Sequence, residues 1–136
     1  MDHPTFRSLD HLAIVVDDTE EALKIWRDRV GLKVLFSEEV NEGTIRLTHL
    51  DLGNTHLQLV QPLNEDHPLA TWLAKNGPGL HHFCLNVDSV SQAFVDLPQQ
   101  DLQVAKAIHQ GTKGKSALFL NPSCTQGVPL EVTGAE

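Results

Sequence analysis

The chain has 136 residues, is 40% hydrophobic and carries a formal charge of −8 at pH 7. That length makes one domain, or two small modules sharing a core. The acidic balance argues against nucleic acid or an anionic membrane surface as the main partner. Cys84 and Cys124 are the only cysteines and read as free thiols of a reducing compartment. No charged-then-apolar leader opens the sequence, and no apolar run approaches the ~18 residues of a spanning helix. The expected location is the cytoplasm, or the mitochondrial matrix for a mature form with its leader removed.

Taken in order, the first element is an apolar strand over about 9–16, opening on His11. A helix follows. Asp18 and Glu21 have capping-box spacing, Ala22, Ile25, Trp26 and Val30 form an apolar stripe, and Gly31 is the stop signal. Three strand-like stretches come next, KVLFSEEV, GTIRLTHLDLG and HLQLVQP, punctuated by Asn41-Glu42-Gly43 and Gly53-Asn54. Residues 62–78 form a linker, with one short helix expected around Pro68–Asn76.

The second half repeats the first. LHHFCLNVDSVSQAF (Leu80 to Phe94) aligns with LDHLAIVVDDTEEAL (Leu9 to Leu23), setting His82 on His11, Val87 on Val16 and Asp88 on Asp17. A helix is expected from Asp88 or Ser89, packing Ala93, Phe94 and Leu97, with Pro98 ending it. Strands are then expected in LQVAKAI, GKSALFLNP and VPLEVTG, with LEVT aligned on LQLV so that Glu131 falls on Gln58. Each copy is therefore a β-α-β-β-β module, about 7–61 and 79–134. A module of ~60 residues buries little core alone. The expected fold is α+β: two paired modules in one domain over residues 1–136, forming a curved eight-stranded mixed sheet with its helices on the outer face.

The repeat also selects chemistry. His11 with His82, and Gln58 with Glu131, are polar residues in apolar strands, and buried polar groups need partners. Pseudo-twofold symmetry would bring all four to the module interface. Two imidazoles, a carboxylate and an amide oxygen suit a divalent metal, with cobalt or zinc foremost and nickel, manganese or magnesium admissible. With one carboxylate the site keeps a net positive charge, which favours an oxyanion such as an enolate. His81, adjacent to His82, points to the opposite face of its strand and packs there.

These modules resemble the vicinal oxygen chelate superfamily (glyoxalase, bleomycin resistance protein and dioxygenase) over nearly the whole chain. Within it, LDHLAIVVDD, LGNTHLQLVQPLNEDHPLATWLAKNGPGLHH and GTKGKSALFLNPSCTQGVPLEVTG are similar to methylmalonyl-CoA epimerases. The resemblance implies a metal on His11, Gln58, His82 and Glu131, and an acyl-CoA substrate whose 2R and 2S forms interconvert through α-proton abstraction and a metal-stabilised enolate. It implies Glu131 as both ligand and acid/base, and a homodimer.

The pattern breaks at Arg46, where some members carry a second glutamate base, at Asn121-Pro122-Ser123 in place of His-Pro-Lys, and at Pro98. Arginine stays protonated, so Arg46 is expected to grip a substrate carboxylate. His56, two residues from Gln58 and of the same strand parity, becomes the candidate second acid/base, whereas His49 has the wrong parity relative to Arg46. Lys113 and Lys115 are expected to meet the phosphates of a CoA tail. The alternatives are a glyoxalase I-type lactoylglutathione lyase, which usually has two carboxylate ligands, and a metal-free small-molecule binding or resistance protein, which generally lacks the ligand set.

Overall fold

The computed structural model describes residues 5–105 and 108–134. Eight strands form one mixed sheet in the order β2-β3-β4-β1-β5-β8-β7-β6: β1 Phe6–Val15, β2 Val34–Val40, β3 Ile45–Asp51, β4 His56–Pro62, β5 Gly79–Val87, β6 His109–Gln110, β7 Ser116–Phe119 and β8 Leu130–Gly134. The helices are α1 Thr19–Leu23, α2 Pro68–Asn76 and α3 Val90–Asp96. The chain divides into two compact units, one running from His11 to His81, the other comprising the residues up to Asp10 and those from His82 onward.

In the His11–His81 unit, β1 pairs with β4 in parallel, Ala13 opposite Gln58, and β3 pairs antiparallel with both β2 and β4. Side chains alternate between faces along each strand, so two apolar clusters result. Ile14, Val16, Leu50, Leu57 and Leu59 pack with Ala22 and Leu23 of α1. Ala13, Val15, Ile45, Leu47 and Val60 pack with Leu69, Trp72 and Leu73 of α2. The linker helix is therefore on the face opposite α1. Its start is set by His67, whose ring nitrogen accepts from the Leu69 N–H, and by Pro68 at the first turn.

The other unit repeats this plan. β5 pairs with β8 in parallel, Cys84 opposite Glu131, and β7 pairs antiparallel with β8. Ala13 to Cys84 and Gln58 to Glu131 are the alignments expected from the repeat, so the two parallel ladders share one register. Val90, Ala93 and Leu97 of α3 and the residues after it pack on Val87, Leu118, Leu120, Leu130 and Val132. Gly134 is required where β8 passes β5, because a Cβ there would lie 2.5 Å from the Val87 carbonyl oxygen.

Several elements differ from the sequence pattern. The Asp18 carboxylate caps α1 by accepting from the Glu21 N–H at 3.1 Å, but the Glu21 side chain pairs with Lys24 at 2.6 Å. After Leu23 the helix widens into a π-helical turn over Lys24–Arg29, with the Val30 N–H donating to the Ile25 carbonyl at 2.8 Å. The wider turn splits the expected stripe: Ala22 is buried and Trp26 packs partly buried against the same cluster, whereas Ile25 and Val30 are exposed. Gly31 still ends the segment, at φ +90°. In α3, Phe94 is exposed rather than packed, and Pro98 converts the end to a 3-10 turn over Leu97–Gln100.

Of the strand expected over 102–108, residues 106 and 107 lie outside the described residues; among the described ones Val104 makes an isolated bridge to Leu120, before the short β6. Val104 faces Leu120 while His109 faces Ala117. Five residues on one side thus correspond to three on the other, so the register shifts between these two pairings.

Leu118, fully buried at the centre of its cluster, sets the expectation for packing. Leu118→Ala is expected to cost about 2–5 kcal/mol, measured by chemical denaturation; a loss under ~1 kcal/mol would contradict the packing described.

Candidate functional site

Glu131 is on the face of β8 opposite α3, because Leu130 and Val132 on either side point into the α3 cluster. Its neighbour across the ladder is Cys84, and His82 is two residues earlier on the same face of β5. His82 Nε2 and Glu131 Oε1 are 3.2 Å apart, with side chains only 5% and 12% exposed. The His82 ring meets Phe119 edge-on at 5.2 Å between centroids, and Phe119 stacks on His109. Burial drives the Cys84 thiol pKa strongly upward, and the nearby Glu131 carboxylate adds to the shift. Gly111 lies beside the carboxylate: a Cβ there would make ordinary contacts, 3.5 Å from the Ala117 Cβ and 3.9 Å from Glu131 Oε2.

The His11–His81 unit carries the counterpart. His11 and Gln58 are buried and belong to the strand faces bearing Ala13, Val15 and Val60. His56 pairs with His11 and shares the Gln58 face. His49 belongs to it too, contrary to the sequence expectation, because β3 pairs His49 directly with Gln58. It is 1% exposed and stacks on Phe36 at 4.5 Å. Its two ring nitrogens make two bonds: Nε2 is 3.0 Å from Gln58 Nε2, and Nδ1 is 2.9 Å from His56 Nδ1. His49 is the residue the sequence reasoning missed.

Arg46 is placed elsewhere. It pairs with Gln61 across the ladder, and Gln61 accepts from Thr19 at the start of α1. Arg46 is thus on the α1 face, with Nη2 3.0 Å from Glu20 and Nε donating to Ser37 at 3.0 Å. The expectation that Arg46 shares a face with the Gln58 group is corrected by this pairing. His81 packs edge-on against Trp72 at 4.9 Å. Lys113 and Lys115 are exposed in the turn between β6 and β7, Lys113 in the left-handed region at φ +53°.

The donor chemistry within each unit suits a divalent ion: His82 and Glu131 offer an imidazole beside a carboxylate, and His11 and Gln58 offer an imidazole and an amide. Both cysteines are free. Among the described residues, no helix is long and apolar enough to cross a membrane.

The sequence matches the Glyoxalase/Bleomycin resistance protein/Dioxygenase superfamily over residues 10–119. It is 33% identical to a mitochondrial methylmalonyl-CoA epimerase of Homo sapiens over 129 residues, covering 93% of this chain and 73% of that one. It is 32% identical to an ethylmalonyl-CoA/methylmalonyl-CoA epimerase of Cereibacter sphaeroides, covering 91% and 95%. Among solved structures, a methylmalonyl-CoA epimerase in complex with methylmalonyl-CoA and NH4+ superposes with a TM-score of 0.87 at 28% identity, covering 96% of each chain. With a repeated βαβββ plan, a histidine–carboxylate pair at the matched register and a family match across most of its length, this chain belongs to the glyoxalase/bleomycin resistance protein/dioxygenase superfamily.

Proposed function

We propose that the protein is a metal-dependent epimerase of methylmalonyl-CoA, interconverting its 2R and 2S forms by moving the α-proton. The observation that carries this reading is the Glu131 carboxylate, nearly buried and 3.2 Å from His82, in a chain about a third identical to epimerases of this substrate class. The metal holders in this reading are His11, Gln58, His82 and Glu131, with cobalt or zinc foremost and nickel, manganese or magnesium compatible with the oxygen donors. Bound there, such an ion supplies Lewis-acid stabilisation of the negative charge that builds on a thioester oxygen as the α-proton leaves.

The chain's own residues do the rest. Glu131 removes or returns the proton on one face, since a carboxylate within reach serves as a base. His56, half-buried at the end of its hydrogen-bonded chain, serves the other. Lys113 and Lys115, exposed cations on one turn, meet the phosphates of the CoA tail. The two modules, 7–61 and 79–134 about the linker 62–78, act as one domain. The family resemblance further supports a homodimer, and the free thiols support a cytoplasmic or mitochondrial matrix setting.

The deciding experiment follows methylmalonyl-CoA in D2O by proton NMR with the zinc- or cobalt-loaded protein. Loss of the α-hydrogen together with inversion at that carbon is expected. No exchange with any divalent metal would overturn the assignment and make hemithioacetal isomerisation the next activity to assay. His82→Ala is expected to weaken zinc binding more than the ~10–100-fold typical for residues that only support ligands, read by calorimetry; an unchanged affinity would remove His82 from the site. Arg46→Ala is expected to leave KM for methylmalonyl-CoA unchanged and to cost under ~1 kcal/mol of stability, as for exposed ion pairs. A raised KM would return Arg46 to the substrate.

A further inference from the structure

Gln58, His49 and His56 form a continuous chain of side-chain bonds within one unit, Gln58 Nε2 to His49 Nε2 at 3.0 Å and His49 Nδ1 to His56 Nδ1 at 2.9 Å. The amide nitrogen of Gln58 can only donate. The facing His49 nitrogen must then accept, so its ring carries the proton on Nδ1. That proton is donated to His56 Nδ1, which leaves the His56 proton on Nε2. Each bond dictates the next, and the amide oxygen of Gln58 is turned away from His49.

We infer that His49 is a positioning residue: it orients the Gln58 amide oxygen as a ligand and fixes which nitrogen of His56 carries the proton. Its ring is suited to this. It is buried, stacked on Phe36 at 4.5 Å, and edge-on to both His11 and His56 at 5.6 Å and 5.2 Å. A ring so confined has little freedom to reorient, so the hydrogen-bond order is held by packing. Partners that orient a ligand typically change metal affinity 10–100-fold when removed. The opposite amide orientation would invert the chain throughout, with the proton on His49 Nε2 and on His56 Nδ1. The two arrangements are therefore distinguishable by a direct measurement. The consequence for turnover rests on the epimerase reading; the proton arrangement does not.

The test uses the full chain, metal-free and zinc-loaded, at about pH 8, where imidazoles are largely neutral. Long-range proton–nitrogen correlation spectra assign the tautomers. The expected pattern is Nδ1–H for His49 and Nε2–H for His56; the reverse pattern overturns the inference. His49→Phe keeps a ring against Phe36 and removes both bonds, and is expected to weaken zinc binding about 10–100-fold by calorimetry. His49→Gln, which restores an acceptor toward Gln58, is expected to recover part of that loss of about 10–100-fold. Equal zinc affinity in the wild type and the phenylalanine variant overturns the positioning role. If that variant does not fold, the wild-type tautomers and the glutamine variant decide. A protein with the expected tautomers that exchanges no α-proton of methylmalonyl-CoA would sink the epimerase reading and still support this one.

Discussion

The arrangement depends on the register of two parallel ladders, β1 with β4 and β5 with β8. Ala13 faces Gln58 in one and Cys84 faces Glu131 in the other. Strand side chains alternate with a period of two, so a slip of one residue would carry every polar donor into an apolar cluster and every apolar side chain to the polar face. The α1 and α3 clusters oppose that slip. Leu57 and Leu59 flank Gln58, and Leu130 and Val132 flank Glu131. The donors face the other way because their neighbours are committed to the helices.

Much of this was legible in the sequence because it was written twice. The repeat located the histidines, their Gln and Glu counterparts, and the βαβββ order. Local chemistry located the cap at Asp18, the start of the second helix to within one residue of its Ser89 cap, and the linker helix at Pro68–Asn76. The orientation of β3 was not legible. Its parity relative to β4 depends on how many residues the intervening turn consumes, and the pairing of Asp51 with His56 settles that only in three dimensions. Taking Arg46 as the reference for the site face therefore placed His49 on the wrong side. The π-helical turn after Leu23 was hidden for a related reason: a 3.6-residue stripe is visible in sequence, and its local widening is not.

The duplicated halves have diverged in charge. One offers a full carboxylate beside an imidazole. The other offers an amide held by a chain of two rings, all on the face that α2 closes with Leu69, Trp72 and Leu73 at its far end. Toward a cation in the proposed site, a carboxylate offers full charge and an amide a directed dipole, so the neighbours that orient the amide matter more. Direction is supplied by packing, and Phe36 on β2 belongs to the site as much as the polar atoms do.

Cys84 has a further consequence. It is fully buried on the face that bears Glu131, and its thiol is held protonated by that burial and by the neighbouring carboxylate. Oxidants and alkylating reagents act on thiolates, so they pass this sulfur by. Cys124, only partly buried in the turn Pro122–Thr125, is the thiol they reach first. Chemical ageing and covalent labelling are thereby expected to reach the surface turn before the buried sulfur beside the carboxylate.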